Sequence, residues 1–243
     1  LFRSYLSTKS LAEVDRVKRD IIRLYDKDFI RIDPTGKASA MFKAIPSELT
    51  RNSSRYQVAS VTENGRANRL LETITNMGES MVVNMAYHAN DPGPGMAFHK
   101  DTSTFKMFVG DTGLFVTLAF WDKEFTDNVI YQKLLTDKLS KDLGYVYENV
   151  VAQMLVASGN ELYYHTFPTE SGKHRYEVDF LIPDGDKVVP IEVKSSGYKA
   201  HVSLDAFCTK FSSRVSRPYL IYTKDLRKEG NLLYLPVYMT MFL

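Results

Sequence analysis

The chain has 243 residues, of which 44% are hydrophobic and 25% charged, a composition typical of a globular protein with one large domain or two small ones. Its formal net charge is only +2, so charge alone does not indicate a nucleic-acid partner. The single cysteine, Cys208, excludes an internal disulfide framework and favours a reducing, cytoplasmic setting. The sequence has no run of about twenty apolar residues, the length that a membrane-spanning helix requires.

The first residues show a helical pattern without an initiator methionine or a signal peptide, so we expect a piece of a longer protein. The string PTGKA at 34–38 is not a phosphate-binding loop. It lacks the upstream glycine and the Ser or Thr after the lysine that such a loop requires. We therefore expect no ATP site in this piece.

The first third of the chain is predicted to be mostly helical. Apolar residues at helical spacing predict helices at 11–30, 38–49 and 66–77, and residues 55–61 and 80–87 are expected to form strands. Helices followed by a strand are typical of a winged-helix module.

In a winged helix the third helix commonly enters the major groove of DNA. Arg66 and Arg69 lie near the start of that helix and are therefore candidate nucleic-acid contacts. Such modules also dock other proteins, so both interpretations remain open here.

The string DPGPG at 91–95 is typical of a loop and marks a boundary. We divide the chain into a winged-helix-like segment at 1–90, a linker at 91–104 and a core domain at 105–243. The sequence of residues 106–120 predicts a short strand, followed by a helix cap at Asp111 and then an apolar helix.

The core domain is predicted to be α/β with the element order αβββαβ. The predicted elements are a helix at 137–157, a strand at 160–167, a hairpin within 176–196, a helix at 202–212 and a strand at 218–222. The last strand is short and continuously apolar, as strands inside a sheet are. It follows a helix, so we expect a right-handed parallel crossover.

The hairpin at 176–196 is predicted to turn at Pro183-Asp184-Gly185-Asp186, because Asp and Gly tolerate the dihedral angles of a hairpin loop. We expect Ile182 to pair with Lys187. One face then carries the apolar side chains Val178, Phe180, Ile182, Val189, Ile191 and Val193, since strand side chains alternate. The other face carries Glu177, Asp179, Glu192 and Lys194.

Asp179 then lies diagonally from Glu192, within reach of one shared ion. Two carboxylates beside Lys194 suggest a divalent metal and a phosphodiester, because Mg²⁺ takes carboxylate, water and substrate oxygens as ligands. Mn²⁺ is the alternative ion. The lysine would position a metal-bound water or offset charge on the phosphate.

The apolar stripe of the helix at 137–157 is formed by Leu139, Leu143, Val146, Tyr147, Val150, Met154 and Leu155. Glu148 lies beside this stripe, with Gly144 and Ala152 one turn before and after it. Small neighbours allow the helix to approach another surface closely. Glu148 is therefore either a third metal ligand that reaches the hairpin or a surface carboxylate.

Basic residues outnumber acidic ones after the hairpin. Between Ser195 and Gly230 there are seven Lys or Arg residues and three acids. Lys199, Lys210 and Arg214 are the candidate contacts to a phosphate backbone; the alternative is a solvated rim.

The pattern D-(x)12-E-x-K, formed by Asp179, Glu192 and Lys194, resembles the PD-(D/E)XK nuclease superfamily. The resemblance implies a restriction-endonuclease-like αβββαβ core, with Asp179 and Glu192 as metal ligands and Lys194 as the catalytic lysine. An acidic residue on the preceding helix, here Glu148, often assists the metal in that superfamily. Val178 stands where the family name has a proline.

A second resemblance covers nearly the whole chain. The sequence is similar to the C-terminal portion of prokaryotic AAA-plus superfamily ATPases that carry a domain of unknown function after the ATPase. The matching strings are MFKAIPSEL (41–49), GRANRLLETITNMG (65–78), FKMFVGDTGL (105–114), YVYENVVAQML (145–155), YEVDFLI (176–182), IEVKSS (191–196) and LYLPVYMTMFL (233–243). This resemblance implies a preceding ATPase domain as partner, and a winged helix before a nuclease-like domain.

Two functions are therefore expected. The first is a metal-dependent nuclease-like domain that acts on nucleic acid, with DNA as the expected form. The second is a catalytically inactive nucleic-acid-binding or protein-docking module that regulates the ATPase, in which Lys194 pairs with Glu192 or Asp179 as a structural salt bridge. The oligomeric state is left open.

Overall fold

The computed structural model describes residues 1–51, 55–60, 70–122 and 144–243. Within them the fold is mixed α/β, with one eight-stranded mixed sheet and helices packed on it, which confirms the α/β class. No helix in these ranges combines the length and the apolar character needed to cross a bilayer.

The N-terminal helices are α1 (Phe2–Thr8), α2 (Leu11–Ile32), α3 (Lys37–Thr50) and α4 (Leu71–Glu79). They confirm the predicted helices at 11–30 and 38–49, and the third helix from its described start onward. Arg66 and Arg69 lie outside the described residues. The predicted strand at 55–61 is wrong over its described part, which forms a 3₁₀ turn at Val58–Ser60, because Tyr56 and Val58 pack into the helical core instead of a ladder.

The remaining elements follow in chain order. They are β1 (Val83–Ala89), β2 (Lys100–Val109), α5 (Thr112–Ala119), α6 (Gly144–Ala157), β3 (Leu162–Pro168), β4 (Arg175–Asp184), β5 (Lys187–Lys194), α7 (Val202–Lys210), β6 (Tyr219–Tyr222), β7 (Arg227–Glu229) and β8 (Leu232–Pro236). Two further 3₁₀ turns lie at Met96–His99 and Val237–Phe242. Asp111 caps α5 as predicted, its side chain accepting a hydrogen bond from Leu114 N–H at 2.8 Å.

The strand order is β2-β1-β3-β4-β5-β6-β8-β7. Strand β1 pairs antiparallel with β2 and parallel with β3, so a strand of the 1–90 segment belongs to the same sheet as the core domain. The segment predicted as a linker, 91–104, contains the 3₁₀ turn at Met96–His99 and the first residues of β2.

The predicted element order helix, three antiparallel strands, helix and parallel strand is observed from α6 to β6. Helix α6 covers one face of the sheet, where Val151 and Leu155 pack against Phe180 and Ile191. Helix α7 covers the other face, where Phe207 joins a second buried cluster. The sheet is therefore buried on both faces, as expected for parallel crossovers.

The predicted register of the β4–β5 hairpin is wrong by two residues. Asp184, not Ile182, pairs with Lys187, and the loop has only two residues, Gly185 and Asp186. Gly185 has a φ of +60°, and glycine at the first central position suits the twist of a two-residue hairpin loop. A shift of two residues preserves side-chain alternation, so five of the six predicted apolar residues still share one face.

The sixth, Val178, lies on the other face. The pairing of β3 with β4 shifts between Tyr163–Leu181 and His165–Val178, so β4 has one extra residue there. This β-bulge reverses the side-chain alternation. Val178 consequently packs with Leu181 on the α7 side of the sheet.

The predicted core stripe of the 137–157 helix is too narrow. Val150 and Met154 are only partly buried, whereas Asn149, Val151 and Ala152 are completely buried. Helix α6 packs against both the sheet and α5, and so buries more of its circumference than a surface helix does. Residues 137–143 of this prediction lie outside the described residues.

Candidate functional site

Six charged side chains from four elements interact around the bulge of β4. They are Lys106 on β2, Glu148 on α6, Glu177 and Asp179 on β4, and Glu192 and Lys194 on β5. We call them the carboxylate–lysine cluster. The structure thus brings the four residues that the sequence singled out into one electrostatic unit, together with two that it did not assign to the site.

Asp179 lies at the bulge, and its carboxylate is oriented by the neighbouring strand. Its Oδ2 accepts a hydrogen bond from Val193 N–H at 2.8 Å. The side chain thus takes a donor of β5 near the point where the β4–β5 ladder ends, at Phe180–Ile191. Asp179 is therefore held against Val193, the residue that separates Glu192 from Lys194 on β5.

Glu192 is 5% exposed. Its Oε1 lies 2.7 Å from Lys194 Nζ. Its Oε2 is buried and has no hydrogen-bond partner among the residues that the structure describes. A buried carboxylate oxygen without a donor is costly, so a proton or a cation at this atom would stabilise it.

Lys106 and Glu177 are the site residues that sequence reasoning missed. The Lys106 ammonium, which is almost completely buried, donates a short hydrogen bond to Glu177 Oε1 and lies over the ring of Tyr164 at 5.3 Å. The lone lysine within the apolar run FKMFV could have indicated a buried ion pair, because a lysine is rarely buried without a partner. Its partner lies 71 residues away in sequence and was not predictable from spacing.

The carboxyl groups of the cluster hold their protons more tightly than exposed ones do. Burial raises the pKa of Glu192 to about 8, and the charge of Asp179 adds to the rise while Lys194 opposes it. Burial also raises the pKa of Glu148 to about 7, again with Asp179 as the strongest of the repelling charges. The pKa of Asp179 itself is raised by burial, with Lys106 opposing.

Both lysines of the cluster remain ammonium ions. Burial would lower the pKa of Lys106, but Glu177, followed by Glu148 and Asp179, outweighs it and raises that pKa above its usual value. Burial would also lower the pKa of Lys194. The neighbouring carboxylates, Glu192 above all, outweigh burial and raise this pKa.

Helix α6 is anchored next to Glu148 by a buried amide. The Asn149 side chain accepts a hydrogen bond from Val109 N–H at 2.9 Å and donates to Val109 O at 2.9 Å and to Thr112 Oγ1 at 3.0 Å. At the start of the helix, a Cβ on Gly144 would lie 3.5 Å from Ser195 Oγ. The close approach expected from small residues around Glu148 is therefore present.

The three basic residues predicted to bind a phosphate backbone lie elsewhere. Lys210 ends α7 and lies over the ring of Phe167 at 5.0 Å, on the α7 face of the sheet. Arg214 is ion-paired with Asp91, and Lys199 is exposed in the turn before α7. The cations that act on the cluster carboxylates are instead Lys106 and Lys194, so binding by the three predicted residues stays a prediction.

Within the described ranges, no three His, Cys, Asp or Glu side chains are grouped closely enough to hold a metal ion. Two ammonium groups already form ion pairs with carboxylates of the cluster. Lys194 pairs with Glu192, and Lys106 pairs with Glu177. A divalent cation would have to compete with them.

Comparison with known protein families gives one match. Residues 143–239 match a domain of unknown function, DUF4143. The DUF4143 region runs from the start of α6 to the last 3₁₀ turn and contains Glu148, Asp179, Glu192 and Lys194, but not Lys106. It confirms a C-terminal domain of unknown function and does not extend to an ATPase or a nuclease. Searches of the curated proteins and of the solved structures found no match.

Proposed function

We propose that the carboxylate–lysine cluster is a divalent-metal-dependent phosphodiesterase site that acts on nucleic acid. The observation that carries this proposal is Glu192 Oε2, a buried carboxylate oxygen with no donor among the described residues, beside the carboxylates of Asp179 and Glu148. Oxygen ligands of this kind suit Mg²⁺ or Mn²⁺. When bound, such an ion polarises a phosphoryl oxygen and lowers the pKa of a coordinated water.

The donor set supports this assignment. Repulsion from Asp179 contributes to the raised pKa of both Glu148 and Glu192, so the three carboxylates together favour a nearby cation. Glu148, Asp179 and Glu192 would be the ligands, and binding would require their side chains to move closer together than they are in this structure. The Val193 N–H bond orients Asp179, and Lys194 orients Glu192.

Lys194 would act on the phosphate. Its ammonium lies next to Glu192 and is partly exposed, with 30% of the side chain accessible. A fixed positive charge there would offset the negative charge that accumulates on a phosphate under in-line attack. Lys106 would hold Glu177 and limit the total negative charge of the cluster. A restriction-endonuclease-like core, with this element order, is part of the same proposal.

The second candidate is a module that binds nucleic acid or a protein partner, such as a preceding ATPase domain, without cleavage. It is favoured by the two ion pairs, Glu192–Lys194 at 2.7 Å and Lys106–Glu177. In this case the pairs are structural, because removing one partner of a buried ion pair leaves an uncompensated charge.

The test compares cleavage of labelled single- and double-stranded DNA with Mg²⁺ or Mn²⁺. Glu192→Gln removes the candidate ligand's charge, and Asp186→Asn makes the same change at the exposed far end of the hairpin. Calorimetric titration with Mg²⁺ supplies a readout that is independent of activity. We expect metal binding and cleavage in the wild type and in Asp186→Asn, and the loss of both in Glu192→Gln. Absence of metal binding and cleavage in the wild type would overturn the proposal and leave the second candidate.

A further inference from the structure

A cavity of about 540 Å³ opens between the end of α3 and the sheet, next to the carboxylate–lysine cluster. Its inner wall includes Lys106, Glu148 and Glu177, so it is continuous with the candidate site. Its outer part is formed by residues that follow α3 and by residues at the start of β4. The cavity is thus an approach to the cluster from the side of the N-terminal helices.

The outer part of this cavity is basic. Arg51, Arg55 and Arg175 line it, and none of them was considered as a binding residue from the sequence. Guanidinium groups suit phosphate because they are always charged and present several donors in one plane. A substrate that entered here would meet positive charge before it reached the carboxylates.

Two of the arginines are held in place by the protein. Arg51 Nη1 lies 2.7 Å from Oε1 of the buried Glu48, although half of the Arg51 side chain is exposed. Glu48 is fixed in turn by Gln57 N–H, which donates to its Oε2 at 2.7 Å. Arg175 donates to Thr166 O at 2.8 Å and to Thr166 Oγ1 at 3.0 Å. Charges that are fixed before binding lose less conformational entropy when a ligand arrives.

The dimensions of the cavity discriminate between forms of nucleic acid. Pockets of about 300–1,000 Å³ enclose ligands of drug size, so a cavity of about 540 Å³ suits one unpaired nucleotide better than a stacked base pair. The walls between the arginines and the cluster include Leu49, Tyr56 and Met107. These side chains give the wall an apolar part, which suits contact with a sugar or the edge of an unpaired base.

We propose that this cavity binds a single-stranded polynucleotide beside the reacting phosphodiester, with Arg51, Arg55 and Arg175 contacting its phosphates. The proposal rests on the function proposed above, because the cluster supplies the reaction and the cavity supplies the substrate. It specifies a single strand, DNA or RNA, and places the binding residues largely outside the DUF4143 match.

The experiment measures binding of a labelled oligothymidylate of about 12 nucleotides, its RNA counterpart and a duplex by fluorescence anisotropy. EDTA is present throughout, so neither metal nor cleavage contributes. The variants are Arg51→Ala and Arg175→Ala. Lys27→Ala, on the exposed side of α2, is the charge-matched control, and circular dichroism verifies folding of every variant. Comparison of the DNA and RNA arms shows which single strand is preferred.

We expect tighter binding of single strands than of duplex by the wild type and by Lys27→Ala. Each arginine variant should bind about five- to tenfold more weakly, and its salt dependence should fall by about one phosphate contact. If Arg175→Ala fails to fold, Arg51→Ala alone carries the test, since its side chain is half exposed.

The result separates the two proposals. Equal binding of single strand and duplex, unchanged binding by both arginine variants, or no binding by the wild type overturns the inference about the cavity, whatever the cleavage assay gives. Arginine-dependent single-strand binding without metal-dependent cleavage sustains the cavity as a binding site and overturns the phosphodiesterase function.

Discussion

Lys194 Nζ lies 2.7 Å from Glu192 Oε1 and leaves Glu192 Oε2 buried without a partner among the described residues. The two residues are on the same strand, two positions apart, so their side chains extend to the same side of β5. If the proposed metal ion binds, it would compete with the Lys194 ammonium for this carboxylate. Substitutions in the cluster should therefore change both the stability of the fold and the pKa values of the carboxyl groups.

The stability of the metal-free protein should fall as pH rises through the range in which Glu192 titrates. The folded-state pKa of Glu192 is about 8, above its ordinary value of 4.5, so between these values the folded state holds a proton that the unfolded state has lost. The free energy of unfolding should therefore decrease by about 1.4 kcal/mol for each pH unit of that window, on the order of 5 kcal/mol in total. Urea unfolding in EDTA at several pH values measures it.

Glu192→Gln should flatten this dependence, because the amide does not titrate. Asp186→Asn, the exposed control on the same hairpin, should retain the wild-type slope. An identical slope for wild type and Glu192→Gln would show that Glu192 does not carry the raised pKa.

Asp179→Asn should lower the pKa of both Glu148 and Glu192. The charge of Asp179 contributes to the raised pKa of each, while an asparagine retains the oxygen that accepts the Val193 N–H bond. Carbon-13 NMR of labelled glutamate carboxyl groups measures the change directly. Unaltered pKa values in the variant would mean that burial alone raises them.

Lys106→Met should destabilise the protein by about 1–3 kcal/mol at neutral pH, because the substitution keeps the volume but removes the counter-charge of a largely buried group. Glu177, its partner, is 28% exposed, and solvent screening places the cost below that of a fully buried pair. Chemical denaturation of the single variants and of Lys106→Met with Glu177→Gln completes a double-mutant cycle. Additive effects of the two substitutions would argue against a direct coupling.

Asn149→Ala should cost about 2–4 kcal/mol, because it leaves both main-chain polar groups of Val109 without their side-chain partner in a fully buried position. Gln153→Ala is the matched control. It removes contacts to Thr112 from the same helix, but at a partly exposed site, and should cost about 1 kcal/mol. Similar unfolding midpoints for the two variants would contradict the anchoring role of Asn149.

Alternation along the hairpin predicted most of its buried face correctly even though the register was wrong. A shift of two residues leaves every side chain on its original face, so Phe180 and Ile191 pack as expected. Val178 was misplaced because a bulge depends on the pairing with β3 and leaves no trace in the local pattern. The contact of Lys106 with Glu177 joins strands that are not neighbours in the sheet, and local spacing holds no information about it.

The arginine-lined cavity was unpredictable for a related reason. Arg51 follows a helix and Arg175 begins a strand, and only the packing of the N-terminal helices against β2 brings them to one opening. Helix and strand periodicity identifies elements and their buried faces. Which loops meet across an interface is decided by the strand order.

The position of β1 between β2 and β3 has a consequence for any attempt to isolate the DUF4143 region. A fragment limited to 143–239 would leave Leu162–Tyr164 of β3 as an unpaired edge, since β1 now covers it. It would also uncover Phe180, whose ring packs against Phe108 at 5.4 Å. Exposed edges and apolar rings promote intermolecular strand addition, so we expect such a fragment to aggregate. The matched region completes a sheet whose first two strands, β2 and β1, come from outside it, so a soluble fragment should need these strands as well.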